Sequence, residues 1–306
     1  TFPGAVVRSR AESWRIRALL RPASMPELPE VETVRRSLLD RVVGAQILDL
    51  RVGDFPGVLG SESPEAVLAR LRGRQFRDIR RRAKYLFFDL DDDTAIMVHL
   101  RMTGKLSLVP SGRADLRHQR VAIALSGGRD LRFSDQRKFG RVLHLHPDDA
   151  ARLEARIGIE PLSDGFTVEW LQAKLRRRTG KIKSVLLDQE LIGGLGNIYA
   201  DEALFLAGIH PERCANSLTL EELARLQQAI QGVLVAALAR KGTTFSSFED
   251  ADGRSGGYGG KLRVYGKGGR GRCPVCAGPL LRLVVGGRGT SYCPDCQPIT
   301  ADPGQH

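Results

Sequence analysis

The stretch "MPELPEVETVRRSLLDRVVG" at residues 25–44 marks the point where the character of the chain changes. Apolar residues recur within it at intervals of three and four, with charged residues between them: Val31, Val34, Leu38 and Val42. This period predicts an amphipathic helix that ends at Gly44. Pro29 suits the first helical turn, because an N–H there would have no intrahelical partner. The fold therefore opens with a helix.

Residues 1–24 differ from the rest of the chain, since they hold five arginines, one acid and no clear periodicity. Three interpretations stay open: an upstream stretch from a mis-assigned translation start, a cloning remnant, or a transit-type presequence. None of them requires this segment to fold. We expect the folding unit to begin near residue 25.

The chain of 306 residues is long enough for about two domains, and its 42% hydrophobic content is enough for ordinary cores. No apolar run reaches the roughly 20 residues of a membrane helix. The net charge of +12 is concentrated, because residues 253–294 hold eight Lys or Arg and no acid. Two further basic clusters lie at 70–84 and 176–183. Separated clusters favour a surface that follows a phosphate backbone over a merely solvated one.

The remaining patterns predict an α+β protein of several domains. Residues 45–146 contain short β-rich segments separated by turn residues, which predicts an N-terminal β-sandwich. The segments are 85–90, 95–100, 105–109, 121–125, 130–134 and 141–146. From about residue 150 the period is helical, with segments at 168–178, 182–194 and 218–242. Thr219 and Glu222 form a candidate capping box at the start of the last helix.

Four of the five cysteines form a C-x2-C-x16-C-x2-C pattern: Cys273, Cys276, Cys293 and Cys296. Two such turns bring four thiolates around one tetrahedral ion, so zinc is favoured over disulfides. A closed four-cysteine site leaves no position for water, and we expect one structural Zn²⁺. Thiolate ligands also indicate a reducing compartment.

Eight stretches, in order along the chain, resemble those of bacterial formamidopyrimidine-DNA glycosylases, which excise oxidised purines. They are "PELPEVETVRRSL", "RRAKYLFFDL", "HLRMTGKLSL", "SDQRKFG", "LLDQELIGGLGNIYADEALF", "GTTFSSFEDADG", "LRVYGKGG" and "RGTSYCPDCQ". The resemblance implies an N-terminal catalytic sandwich domain at 25–155 and a helical helix–two-turns–helix domain at 156–249. A lid loop, a zinc-finger β-hairpin and a tail would occupy 250–306, and residues 1–24 would lie outside the active enzyme.

The resemblance implies that Pro26, Glu27 and Lys84 are catalytic. If the active chain begins at Pro26, its secondary amine can attack C1′ of a damaged nucleotide and form a cationic iminium. Glu27 would move protons at the sugar, and Lys84 would contact the phosphate and the damaged nucleotide. Taken alone, the prolines could simply shape a helix start, and Lys84 could be one more surface cation.

The family fills the gap left by an extruded base with three side chains, which Met102, Arg137 and Phe139 match. An apolar wedge replaces stacking and a guanidinium can pair with the orphaned base. Without the resemblance, Met102 and Phe139 would be interpreted as core residues. Three further residues match the family's phosphate contacts: Lys183, Asn197 and Arg288. Taken alone, Lys183 could instead be a solvated cation on a helix face.

Some positions depart from the family pattern. Arg101 stands where we expect Gly, Gln136 stands where we expect Pro, and the lid at 250–260 is unusually rich in glycine. Two alternatives stay open: an endonuclease VIII-type glycosylase for oxidised pyrimidines, and a non-catalytic zinc-finger protein that binds lesions. Under the leading interpretation the partner is double-stranded DNA with oxidised bases or abasic sites. The protein would be monomeric, bacterial, cytoplasmic and nucleoid-associated, with no membrane contact.

Overall fold

The computed structural model describes residues 26–244 and 248–299. The expectation that residues 1–24 lie outside the active enzyme falls beyond the described residues. The helices are α1 Leu28–Val42, α2 Pro64–Leu71, α3 Pro147–Arg156, α4 Val168–Leu175, α5 Ile182–Leu186, α6 Asn197–Ala207 and α7 Leu220–Ala239. The strands are β1 Ile47–Val52, β2 Phe76–Arg82, β3 Tyr85–Leu90, β4 Ala95–His99, β5 Gly104–Pro110, β6 Gln119–Leu125, β7 Arg129–Asp135, β8 Arg141–Leu145, β9 Leu281–Val285 and β10 Arg288–Tyr292.

Two antiparallel four-stranded sheets form the N-terminal sandwich, with strand orders β1-β6-β7-β5 and β2-β3-β4-β8. Their inner faces supply one apolar core that also receives α1. The predicted sandwich and all six predicted strands are confirmed. Strands β1 and β2 were missed, and the sequence of β2, FRDIRRR, carries four arginines in seven residues.

The basic cluster at 70–84 has a structural role within the fold, and its contact with phosphate stays a prediction. All seven of its arginines form ion pairs with carboxylates: Arg70, Arg72, Arg74, Arg77, Arg80, Arg81 and Arg82. Arg81, for example, bridges Glu32 on α1 and Glu160 in the linker at 3.2 and 2.9 Å. These arginines join elements of the fold, and Lys84 is the member of the cluster that has a different role.

The helical domain has a second core, in which α4, α5, α6 and α7 pack together. The predicted capping box is confirmed, since the Thr219 hydroxyl accepts from the Glu222 N–H and the Glu222 carboxylate accepts from the Thr219 N–H. The helix predicted over 182–194 is mostly wrong, because α5 stops at Leu186. The backbone then turns back toward the linker between the domains, and Gly194 adopts a φ of +95°.

The zinc finger packs against α6, where Phe205 lies in one buried cluster with Val264, Cys273, Leu280 and Cys293. Glu202, on the same helix, accepts hydrogen bonds from three successive N–H groups, those of Arg263, Val264 and Tyr265, at 2.8–2.9 Å. A buried carboxylate with this many donors fixes the approach to the finger. None of the helices within the described ranges has the length and apolar character that a membrane span requires.

The described part of the glycine-rich lid packs against both domains. Phe248 and Ala251 are buried in the sandwich core, whereas Tyr258 is buried in the helical core. The segment therefore ties the two domains together.

Candidate active site and DNA interface

Glu27 lies at the junction of the two domains and is fully buried. Its Oε1 accepts a hydrogen bond from the Ile198 N–H at the start of α6, at 2.9 Å. Its Oε2 is buried and has no hydrogen-bond partner among the described residues. Burial raises the pKa of Glu27, against the opposing effects of the Lys84 charge and the N–H groups of α6. One oxygen thus holds the side chain in place, and the other is free of hydrogen bonds from the described residues.

The glycine turn at 193–196 makes this contact possible. A Cβ on Gly196 would lie 2.5 Å from Glu27 Oε1, and a Cβ on Gly194 would lie 2.9 Å from Leu28. The Leu28 N–H also donates to the Gly194 carbonyl at 3.1 Å. The turn also places the Ile198 N–H at the start of α6 against the Glu27 carboxylate. The glycines are required for the close approach of α1.

Lys84 occupies the β2–β3 turn, and the surface-cation interpretation is wrong because its side chain is buried. Its Nζ donates to the Leu195 carbonyl at 2.9 Å, within the same glycine turn. Burial lowers the pKa of Lys84 to about 8, although the charges of Glu27 and Glu30 oppose the shift. The structure therefore brings Lys84 and Glu27, which are far apart in the sequence, to one buried site.

Glu30 belongs to the same site and was missed by sequence reasoning. Its Oε2 accepts from the Glu27 N–H at 2.9 Å, and its Oε1 accepts from the Tyr199 hydroxyl and the Thr243 N–H at 2.5 and 2.7 Å. Burial and the charge of Glu27 raise the pKa of Glu30 to about 7. Its position three residues after Glu27 placed it on the first helical turn, but only the fold shows that it is buried.

The three wedge residues meet at one edge of the sandwich. The Arg137 guanidinium lies 2.8 Å from the Met102 sulfur and 4.8 Å from the centre of the Phe139 ring. Phe139 leaves 47% of its surface exposed, so the alternative that it is a core residue is wrong. A cation, a thioether and an aromatic ring are thus presented together to solvent.

The three residues expected to contact phosphate lie near the finger hairpin. Lys183 is fully buried and pairs with Asp201 at 2.5 Å, so its interpretation as a solvated cation is wrong. Asn197 donates to the Gly289 carbonyl at 3.0 Å. Arg288 is half-buried, and its charge contributes to lowering the pKa of both Lys84 and Lys183, which places it within electrostatic reach of both. Contact of these residues with phosphate stays a prediction.

Two further residues adjoin Lys84 without having been singled out as site residues. His99, at the end of β4, is buried; its Nδ1 accepts from the Arg101 N–H at 3.1 Å, and its ring packs edge-on against Tyr85. Burial and the Arg101 charge lower the pKa of His99 well below its usual value. Arg101 itself adopts a φ of +54°, which explains why a glycine suits this position.

The four finger cysteines fit a single zinc ion. Their ligand atoms all lie within 4.8 Å of one another, with Sγ–Sγ distances of 3.7 Å for Cys273–Cys296 and 3.5 Å for Cys276–Cys293. A tetrahedral site with Zn–S bonds of about 2.3 Å requires sulfurs about 3.8 Å apart. A disulfide would require about 2.05 Å. The donor set fits zinc and the disulfide alternative is excluded for these four.

Comparison with known proteins gives matches to three family models in order along the chain. They are the formamidopyrimidine-DNA glycosylase N-terminal domain at 25–142, the formamidopyrimidine-DNA glycosylase H2TH domain at 157–249, and the zinc finger found in FPG and IleRS at 271–299. A formamidopyrimidine-DNA glycosylase of Herpetosiphon aurantiacus is 46% identical over 273 residues, covering 89% of this chain and 100% of the relative.

Solved structures are similar over the same extent. One is the wild-type Lactococcus lactis Fpg in complex with DNA that contains N7-benzyl-Fapy-dG, and it covers 89% of this chain and 100% of its own, at 38% identity and a TM-score of 0.83. Another is L. lactis Fpg with DNA that contains an abasic site, at 37% identity and a TM-score of 0.82, covering 89% and 99%.

A β-sandwich joined to a helix–two-turns–helix domain and a four-cysteine finger, with a buried carboxylate and lysine at the junction, defines a class of zinc-finger DNA-repair proteins. The sequence relatives and structural neighbours identify one family within this class. The chain belongs to the formamidopyrimidine-DNA glycosylase family.

Proposed function

We propose that this chain removes oxidised purines, such as 8-oxoguanine and formamidopyrimidines, from duplex DNA and then cleaves the abasic strand. The observation that carries the proposal is the buried Glu27 carboxylate, which follows Pro26 directly and has one oxygen without a hydrogen-bond partner among the described residues. A general acid or base works best when its pKa lies near the working pH, and burial moves the pKa of Glu27 in that direction.

The lone pair of the Pro26 amine forms a bond to C1′ as the glycosidic bond breaks, and the bonding electrons leave with the base, which takes up the proton that the new ammonium loses. Glu27 donates a proton to the sugar ring oxygen, the ring opens, and a cationic iminium joins Pro26 to C1′. The iminium acidifies C2′, so loss of that proton expels the 3′ phosphate, and a second elimination expels the 5′ phosphate. Lys84 supplies positive charge beside the phosphates.

This chemistry requires a free amine on Pro26, so we infer that the active protein begins there. Two findings support the inference. The family match starts at residue 25, and the H. aurantiacus relative is matched over its whole length by 89% of this chain. A prolyl nitrogen within a peptide bond has no lone pair available for attack.

The wedge supports the oxidised-purine substrate over the endonuclease VIII-type alternative, for which we expect no Met, Arg and Phe set. Double-stranded DNA with oxidised bases or abasic sites is the proposed partner. The monomeric state and the cytoplasmic, nucleoid-associated location stay predictions.

Borohydride trapping on an 8-oxoguanine duplex tests the mechanism. The protein that begins at Pro26 is compared with the 306-residue chain, and mass spectrometry locates the adduct. We expect an adduct on Pro26 with the shorter form alone. Trapping of the longer form with its extension intact would mean that a lysine attacks, whereas no adduct from either form would favour a non-catalytic lesion-binding protein.

A further inference from the structure

The two loops that carry the wedge are held by one buried carboxylate. Asp135, the last residue of β7, accepts hydrogen bonds from the N–H groups of Arg137, Phe139 and Gly140 at 3.1, 2.7 and 2.7 Å. Its Oδ1 also accepts from the hydroxyl of Thr103, the residue after Met102. Asp135 thus bonds to both loops, the one at 101–103 and the one at 136–139.

Thr103 closes the connection from the other side. Its Oγ1 accepts from the Arg137 N–H at 3.2 Å while it donates to Asp135. The strand register supports this arrangement, because Gly104 at the start of β5 lies opposite Asp135. The hydroxyl therefore makes one bond to the carboxylate and one to the backbone of the opposite loop.

The bases of both loops are also tightly packed. A Cβ on Gly140 would lie 2.3 Å from the Phe133 ring, and a Cβ on Gly104 would lie 2.9 Å from the same ring. The backbone at the base of each loop therefore lies directly against one buried aromatic side chain.

We propose that Thr103 and Asp135 form a latch that joins the two loops, so that Met102, Arg137 and Phe139 enter the duplex as one preassembled unit. The inference rests on the proposed function and assigns Thr103 as a positioning residue for base extrusion. If the loops were flexible, inserting the wedge into the duplex would cost conformational entropy. A preassembled wedge avoids that cost.

Thr103→Val removes the hydroxyl and keeps the shape of the side chain, and Thr103→Ser restores the hydroxyl. Each variant is prepared with zinc as the protein that begins at Pro26. It is assayed under single-turnover conditions. One duplex carries a paired 8-oxoguanine and the other carries an abasic site, where no base has to be extruded. A 2-aminopurine beside the lesion reports extrusion directly.

Thr94→Val is the matched control, because Thr94 donates to Asp92 at 2.6 Å in the β3–β4 turn, at the opposite end of β4 from the wedge. We expect Thr103→Val to slow excision of the paired lesion about tenfold, the effect of one lost hydrogen bond to a charged group. Strand cleavage at the abasic site should stay within about twofold of wild type. Thr103→Ser and Thr94→Val should match wild type on both duplexes.

Equal loss on both duplexes, no loss on either, or failure of Thr103→Ser to restore the rate would overturn the latch. Wild-type protein that processes neither duplex would instead overturn the proposed function, and the inference with it. Thermal unfolding of each variant identifies any misfolded protein. If Thr103→Val misfolds, the latch is tested by comparing the 2-aminopurine signal of Thr103→Ser with that of wild type. Slower extrusion by Thr103→Ser would contradict a hydroxyl latch.

Discussion

Glu27 is fully buried at the domain junction, whereas Phe139 leaves 47% of its surface exposed at the edge of the sandwich. At the junction, charged groups are held by backbone contacts from the opposite domain, and burial shifts their pKa values. At the wedge, apolar and cationic side chains face solvent, and the buried polar groups lie beneath them. The junction therefore depends on the charges of buried groups, whereas the wedge depends on the shape of exposed side chains. Substitutions in the two regions should differ in their effects on activity and stability.

Glu27→Gln should have the largest effect. Base excision should fall by about 10²–10⁴-fold, the usual contribution of a general acid or base. Glutamine can still accept the Ile198 N–H, so the thermal midpoint should change little. Single-turnover excision of 8-oxoguanine, with thermal unfolding beside it, checks both expectations. Activity within a few-fold of wild type would assign proton transfer to another group.

Glu30→Gln should change how stability depends on pH. The folded pKa of Glu30 is about 7 and the ordinary value is 4.5, so the folded state binds this proton more tightly. The stabilisation is complete below an unfolded pKa of 4.5 and is lost as pH rises through 7, by about 3 kcal/mol at most. Urea unfolding from about pH 5 to about pH 8 should show a smaller decline in the variant. An unchanged decline would place the titration on another group.

Phe139→Ala should separate function from stability. Excision of a paired lesion should fall about tenfold, because the side chain that replaces base stacking is lost. The free energy of unfolding should change by less than about 0.5 kcal/mol, since the ring is largely exposed. Leu206→Ala is a matched control, because Leu206 is 39% exposed on α6 and should affect neither quantity. A large loss of stability in Phe139→Ala would show that the ring is structural.

Arg101→Gly should have the smallest effect, and it should be stabilising. Arg101 adopts a φ of +54° and lies within electrostatic reach of Lys84. Glycine tolerates this conformation, so the unfolding free energy should rise by about 0.5 kcal/mol after the entropic cost of glycine. Lys241→Gly, at a φ of +61° on the surface, isolates the backbone contribution. Denaturant midpoints of the two variants give the comparison, and a lower midpoint for Arg101→Gly would contradict the expectation.

Much of the fold could be predicted because its signals are local. The short β-rich runs at 85–90 and 121–125, the three- and four-residue apolar spacing in 31–42 and the capping box at Thr219 each depend on a few neighbouring residues. The cysteine spacing behaves in the same way, since each C-x2-C turn is a local structure. Strand β2 was missed because its arginines are neutralised by distant carboxylates, which no local pattern reveals.

In the candidate site, too, local features could be predicted from the sequence and long-range contacts could not. The sequence alone determined the leading helix, the sandwich, the finger and, through a resemblance, the identity of the residues to examine. Only the tertiary structure decided that Lys84 and Lys183 are buried, that Glu30 joins the site, and that Asp135 bonds to both wedge loops. The physical reason is that burial, pKa and hydrogen-bond partners depend on groups far apart in the chain. A residue's type limits the chemistry that it can perform, but the fold determines the environment in which it performs it.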